Sequence, residues 1–469
     1  MIESSLILTL LLNFFLTGCL CSLLIRSSKW AEITRPFTQA SLIFGLGTWF
    51  LYRHELVDLE IDLFAIKLVP WLIMMQLGMS LLMRKQSDGT YSLHPGVILF
   101  STFSLCGLCL SDHLGFLFLF GEALAVSLWL IAAKDQRRKT IFRTLVTSVL
   151  IGLGTNLTLS EIQVDLTAPT SLSNASDQSE IARFAEQDPE LGPRCRVGLL
   201  CFMLGISWRV GFFPFPRDRA GEDSIVWFQR DVSLLSASVL VPLIFLPRLE
   251  GGEQLGQMLI FTFAVPTMIR ETLQCGWRDS LFERIQCWFV ASAILMWMGI
   301  SQELFNLDRG EQWGLWLPMG REMVRLELLS SLAGFLLAVG ILRELSHSRV
   351  PCPTREDLSG LLWTHPLPAA LLSLALLSWV GLPGLAGFQP RFGVLAGAFE
   401  IAGLELDVST GYALVGVIMT VCQMILFFLV LLTVQSLSES PAWHRHTRGK
   451  LTWRLCVFAL LLLGLFLSL

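Results

Sequence analysis

The sequence predicts an all-α polytopic membrane protein of about 14 transmembrane helices, and three observations carry that expectation. Hydrophobic residues make up 53% of the 469 positions and charged residues only 15%, a balance that excludes an ordinary soluble enzyme. The apolar residues fall into stretches of about the 20 residues that a hydrocarbon core takes to cross. Basic residues then cluster in alternate connecting loops, the charge pattern that orients a membrane stack.

The candidate spans run roughly 6–25, 37–52, 64–83, 95–111, 114–133, 142–159, 195–213, 232–247, 255–270, 285–302, 326–345, 367–388, 390–434 and 452–468. The stretch 390–434 is read as the end of a broken helix plus one further helix. The first span lacks a basic leader and a small-residue cleavage site, so it is read as a true span. The longest polar segment, about 160–194, is rich in Ser, Thr, Asp and Glu and is read as a surface loop. Its Asn174-Ala175-Ser176 triplet is a formal glycosylation site, read as a chance match.

Loop charge sets the orientation. Arg26, Lys29 and Arg35 form the first basic cluster, Arg84 and Lys85 the second, and Lys134 with Arg137, Arg138, Lys139 and Arg143 the third. Four more follow, at Arg217–Arg230, Arg270–Arg284, Arg343–Arg355 and Arg445–Arg454. The intervening loops carry Glu55, Asp58, Glu60 and Asp62, the acidic 161–190 stretch, and Glu405 with Asp407. The positive-inside rule puts both termini on the non-cytoplasmic side, in what reads as a bacterial inner membrane.

Two apolar stretches are interrupted in a related way. Gly205 to Pro216 reads GISWRVGFFPFP, with Arg209 just before Pro214. Ser378 to Glu400 carries Pro383 and Pro390, with Arg391 following the second proline. Glycine or proline in a membrane helix frees backbone groups, which is tolerated only where protein or a wet cavity satisfies them. One such interruption in each half of a polytopic chain marks the ion or substrate path of an inverted-repeat transporter. Pro214, Pro383 and Pro390 are therefore the expected helix breaks.

Ionisable groups inside hydrocarbon are costly and usually functional. Glu122 sits mid-span in FLFLFGEALAVSLWLIAAK, and Arg209 and Arg391 lie at the two interruptions. A carboxylate at that depth needs a cation, so Glu122 is expected near Arg209. Lys67 lies early enough in its span to snorkel. Soluble-enzyme motifs are absent: there is no phosphate-binding GxxxxGK[ST], no nucleophile-elbow GxSxG and no histidine pair on one helical face. Cys106 and Cys109 have CxxC spacing but sit in an apolar span without a second pair, which reads as helix packing. No metal, flavin or cluster site is expected in this chain.

Four segments carry a resemblance to the antiporter-like, fourteen-helix membrane subunits of proton-pumping NADH-quinone oxidoreductase (respiratory complex I), the N subunit, or mitochondrial subunit 2, above all. They are GEALAVSLWLIAAKDQRRK (121–139), ISWRVGFFPFPRDRAGED (206–223), WRDSLFERIQCWFVASAILMWMGI (277–300) and the specific segment 355–400, which resembles a family pattern LSLAGIPPxxGFxGKF. The match covers about 95–434. The basic residue at 391 and a chain that stops after the fourteenth span favour the N-type subunit.

The resemblance implies two inverted five-helix repeats, with the seventh and twelfth helices broken and related by a pseudo-twofold axis in the membrane plane. It divides the chain into 1–94 (helices one to three), 95–250 (first repeat, including the polar loop), 251–434 (second repeat) and 435–469 (last helix). It also implies a proton path through Glu122, Arg209 and Arg391. The two arginines stand where the family has lysines. The family's eighth-helix lysine falls at Val239 and its tenth-helix histidine near Ser292. Arginine stays protonated where lysine can release its proton, so a paralogue with a weakened or dead pump stands beside the pumping reading. NADH, FMN, iron–sulfur clusters and quinone are expected in partner subunits of the membrane arm and its attached enzyme, with no cofactor in this chain. The expected role is coupling quinone reduction elsewhere to proton transfer. The alternatives are a subunit of a cation/proton antiporter or membrane-bound hydrogenase complex, or a non-pumping scaffold paralogue.

Overall fold

Backbone amides and carbonyls buried in hydrocarbon must be satisfied within their own segment, which leaves helices as the available solution for such a chain. In a computed structural model, the described residues are 2–24, 28–57, 63–82, 94–111, 114–131, 137–164, 193–212, 214–215, 224–245, 253–278, 280–309, 320–346, 358–364, 366–385 and 387–404, with scattered positions between 416 and 428. They are all-helical, with no strand ladder among them.

The helices are α1 (Ile2–Leu24), α2 (Ser28–Val57), α3 (Leu63–Leu82), α4 (Pro95–Cys109), α5 (Leu114–Ile131) and α6 (Arg137–Val164). Then follow α7 (Pro193–Val210), α8 (Ser224–Phe245), α9 (Glu253–Trp277), α10 (Leu281–Arg309) and α11 (Gly320–Ser346). A single turn at Leu361–Thr364 precedes α12 (Pro366–Val380) and α13 (Phe388–Leu404). Each of the first twelve candidate spans thus coincides with a helix. The fourteenth, 452–468, lies outside the described residues, as do most of the polar 160–194 loop and of the segment after 404.

Three described helices hold windows long and apolar enough to cross a membrane: Ile141–Thr158, Leu281–Ile300 and Met323–Leu342. Shorter apolar segments lie in α1, α3, α4, α5, α8 and α12. The three long windows differ in what surrounds them. Only 28% of the α6 window is buried within the protein, against 83% for α10 and 89% for α11. On α6 the exposed side chains are Phe142, Leu145, Val149 and Leu153, a helical stripe that would be costly in water and suits lipid. Phe116, Leu119 and Val126 make a similar outward stripe on α5.

The chain divides into two compact units, Met1–Phe263 with Glu303–Gly314, and Ala264–Gln302 with Leu315–Leu469. In the first, α4 packs on α1, α3, α5 and α8, and α6 packs on α5 and closely on α7. Glycine makes that last contact possible. A Cβ on Gly154 would lie 2.6 Å from the Gly198 carbonyl oxygen, and one on Gly198 would lie 2.8 Å from the Gly154 carbonyl oxygen. Small residues that let backbones meet drive helix association in lipid, where the hydrophobic effect does not. Across the same unit, Gln229 of α8 donates to Gln76 Oε1 of α3 (2.8 Å) and to Ser101 Oγ of α4 (2.7 Å). In the second unit α11 packs on α12 and α13, with Trp379 Nε1 donating to the Ser331 carbonyl (3.1 Å) and Phe289 stacked on Phe335 at 4.4 Å.

Proline proves a poor guide to where helices stop. Pro36, Pro70 and Pro266 all lie inside continuous helices. Both breaks are made by glycine. At the end of α7, Gly211 has φ 86°, its N–H reaches the Trp208 carbonyl, and Phe212 N–H reaches the Ser207 carbonyl at 2.8 Å. At the end of α12, Gly381 has φ 79°, its N–H reaches the Ser378 carbonyl, and Leu382 N–H reaches the Leu377 carbonyl at 3.1 Å. Each is a Schellman stop, which needs a residue that accepts left-handed φ. Pro214 and Pro383 sit in the turns that follow. Pro390 requires correction as a break: it lies in the first turn of α13, where its missing N–H has no intrahelical acceptor to lose.

Candidate functional site

Arg209 occupies the last turn of α7, one residue before the helix ends, where a cation also meets the negative end of the helix dipole. Its Nη2 donates to Glu122 Oε1 of α5 at 2.7 Å and to Ser148 Oγ of α6 at 2.9 Å. Its Nε donates to Thr147 Oγ1 at 3.1 Å, and Nη1 lies 3.5 Å from the Gly121 carbonyl oxygen. Ser148 Oγ in turn donates to the second carboxylate oxygen of Glu122. The structure therefore brings Glu122 and Arg209 together, and adds Ser148 and Thr147, which the sequence did not single out.

The pair borders a small cavity of about 40 Å³, otherwise walled mainly by apolar side chains including Leu117, Phe118, Phe202, Ile206, Leu234 and Val241. Such walls hold the local dielectric low, strengthening the ion pair and raising the cost of separating it. Glu122 keeps 23% of its side-chain surface and Arg209 13%, so neither charge is sealed within the protein. Val239, aligned with the family's eighth-helix lysine, is fully buried in α8. The cavity wall is taken by its neighbours Ala237 and Ser238.

Arg391 stands differently. Arg209 precedes its break, whereas Arg391 follows its own, on α13. Its side chain folds back over the turn, so that a Cβ on Gly381 would lie 3.2 Å from Arg391 Cδ. Glu122 is not its partner; Glu327 of α11 is. Arg391 Nη2 and Nε both reach Glu327 Oε1, at 3.0 and 3.1 Å. Nη2 also donates to Ser292 Oγ of α10 at 2.7 Å, the guanidinium carbon lies 4.8 Å from the centre of the Trp288 ring, and Ser331 Oγ donates to Glu327 Oε1 at 3.1 Å. Both charges are almost wholly buried, at 1% and 4% exposure.

Sequence reasoning missed Glu327. It lies second in the apolar window counted from 326 and reads as an interfacial charge beside Arg325. Helix α11 begins at Gly320, so Glu327 is about 10 Å along it at 1.5 Å per residue. Ser292, matched to the family's tenth-helix histidine, was placed by resemblance and here meets Arg391. Each arginine is thus held by one glutamate and one serine from two consecutive earlier helices, in exchanged order: Glu122 on α5 and Ser148 on α6, then Ser292 on α10 and Glu327 on α11.

Among the described residues no cluster of His, Cys, Asp or Glu is arranged to hold a metal ion. Cys106 and Cys109 form no disulfide.

A helical membrane fold with a carboxylate–guanidinium pair at each of two broken helices is the arrangement to set beside known proteins. Residues 326–420, which include Glu327 and Arg391, match the family model described as NADH:quinone oxidoreductase/Mrp antiporter, TM. The NADH-quinone oxidoreductase subunit N of Laribacter hongkongensis is 22% identical over 330 residues, a match covering 69% of this chain and 63% of that protein. Among solved structures, a chain of the membrane-bound sulfane sulfur reductase, an archaeal respiratory membrane complex, superposes with TM-score 0.73 at 16% identity, covering all of this chain and 94% of its own. A chain of respiratory complex I from Thermus thermophilus gives 0.70 at 14% identity, covering 98% and 95%. A chain of the Mrp complex from Dietzia sp. DQ12-45-1b gives 0.66 at 14%, covering 96% and 82%. The chain is thus similar over 326–420 to that family model, and it shares its fold with membrane chains of complex I, Mrp and sulfane sulfur reductase complexes.

Proposed function

We propose that this chain is an N-like membrane subunit of a proton-translocating NADH-quinone oxidoreductase, and that Glu122, held by Arg209, is its proton-carrying group. The observation that supports this is the Glu122–Arg209–Ser148 arrangement beside the α5–α7–α8 cavity. Arginine does not release its proton in a protein, so the exchangeable proton belongs on the carboxylate. Arg209 has neutral anchors to fall back on: Thr147 Oγ1, Ser148 Oγ and the Gly121 carbonyl. Protonation of Glu122 removes the charge partner without stranding the cation. Deprotonation restores the pair. A lysine relay moves its proton from the cation; here the cation stays charged and the carboxylate titrates.

In this reading the chain lies in a bacterial inner membrane with both termini on the non-cytoplasmic side. It holds no cofactor; NADH, FMN, iron–sulfur clusters and quinone belong to its partner subunits, and other membrane-arm subunits flank it. The rival is an Mrp-type or other membrane-bound respiratory complex, for which the Mrp and sulfane sulfur reductase superpositions give the same fold. Affinity purification of the tagged full chain from its native membrane separates them. Flavin and iron–sulfur absorbance with NADH-dependent quinone reduction is the expected result. Copurification of small antiporter subunits without redox cofactors would reassign the chain to the Mrp class.

A further inference from the structure

We infer that Glu327 is the titratable proton-relay group of the second unit, with Arg391 as its fixed counter-charge. The inference rests on the reading of Glu122 above and extends it to a residue that neither the sequence pattern nor the broken-helix motif marks.

The geometry treats the two oxygens of Glu327 unequally. Oε1 receives Arg391 Nε, Arg391 Nη2 and Ser331 Oγ. Oε2 is buried and has no hydrogen-bond partner among the described residues. One oxygen is therefore pinned by three donors and the other is left as the place for a proton. The nearest cation cannot supply that proton, because a guanidinium keeps its own.

Protonating a buried carboxylate beside a buried cation fails if the cation is left with nothing, since an uncompensated interior charge is strongly unfavourable. Arg391 has two further supports that do not depend on Glu327. Ser292 Oγ accepts from Nη2 at 2.7 Å, and the Trp288 ring lies 4.8 Å from the guanidinium carbon, where the ring quadrupole attracts a cation. The Trp288 ring is itself set by Trp379, 6.5 Å away, whose Nε1 is tied to the Ser331 carbonyl. The step is simple in its balance: one O–H bond forms at Oε2 on proton uptake and breaks on release, and Arg391 carries its charge throughout. It is the same device as in the first unit, a carboxylate that titrates and an arginine with a neutral seat, built from α10, α11 and α13.

The test uses the assembled complex. Infrared difference spectra of the whole complex, taken on turnover or across a pH step, should contain a carboxylic-acid C=O band that shifts in deuterium oxide, is lost in Glu327→Gln and moves in Glu327→Asp. The proton-to-electron ratio in reconstituted vesicles should fall in Glu327→Gln, since Gln keeps an oxygen for Arg391 but cannot take up a proton. An assembled Glu327→Gln complex with an unchanged ratio and no assignable band would overturn the inference. If Glu327→Gln does not assemble, the Glu327→Asp spectrum decides alone, and a spectrum identical to that of the unmodified complex rejects it. A lowered ratio in Glu122→Gln beside an unchanged one in Glu327→Gln removes this inference and leaves the first reading standing. An unchanged ratio in both removes the two together.

Discussion

Arg209→Met is expected to cost the protein about 3 kcal/mol, the low end of what breaking a buried ion pair costs. The low end applies because Glu122 and Arg209 retain 23% and 13% of their side-chain surface. The loss is larger than a missing hydrogen bond because Glu122 would remain beside a largely apolar cavity with no cation, and its carboxylate, Ser148 and Thr147 would all lose a donor together. Removing both charges should hurt less than removing one. Arg209→Met with Glu122→Leu leaves no buried charge, and apolar replacement of a whole pair is often neutral or stabilising. The measurement is the thermal aggregation midpoint of the purified complex and its assembled yield. The single variant should fall well below the double. A double variant worse than the single would mean that Glu122 stabilises the fold even without Arg209, through its bond from Ser148 or its packing.

Gly198→Leu should be strongly damaging although Gly198 belongs to neither ion pair. A Cβ there would lie 2.7 Å from Thr158 Oγ1 and 2.8 Å from the Gly154 carbonyl oxygen, and backbone cannot swing aside as a side chain can. Overpacking typically costs about 1–3 kcal/mol and occasionally more; here the backbone contact puts it at the upper end. The helices α6 and α7 must separate, and Arg209 on α7 leaves Thr147 and Ser148 on α6. Assembled yield and quinone-linked proton transport should drop together. Gly47→Leu is the control, since a Cβ on Gly47 meets nothing within 4 Å. Equal effects at both positions would show that α6 and α7 have room to adjust.

Hydropathy located the helices well and their ends poorly, for a physical reason. Apolar windows report where the chain crosses hydrocarbon, whereas a helix continues into the polar zone as long as its backbone bonds hold. Thus α2 begins at Ser28 where the window begins at 37, and α11 begins at Gly320 where the window begins at 326. That offset puts Glu327, second in the window, two turns inside its helix. The breaks were legible in place but read through the wrong residue. Both read Ser-Trp-(Arg)-Val-Gly, at Ser207–Gly211 and Ser378–Gly381, and the glycine, free to take left-handed φ, is what stops the helix. The proximity of Glu122 to Arg209 follows from charge and depth alone. Ser148, Thr147, Trp288 and Ser331 do not, because serine, threonine and tryptophan are ordinary in membrane helices and only packing reveals which of them face a guanidinium. The Gly154–Gly198 contact is likewise a property of two helices whose pairing no single segment displays.

On the proposed function the carboxylate, and not the cation, carries the proton in this chain. The most direct measurement is the proton-to-electron ratio of the complex reconstituted in vesicles, compared between the unmodified protein, Glu122→Gln and Arg209→Lys. Glu122→Gln removes the titrating group while keeping an oxygen for Arg209, so the ratio should fall with assembly intact. Arg209→Lys keeps the charge and adds a group able to release its proton, so the ratio should be preserved or rise. An unchanged ratio in Glu122→Gln would contradict the account and leave the chain a scaffold of its complex.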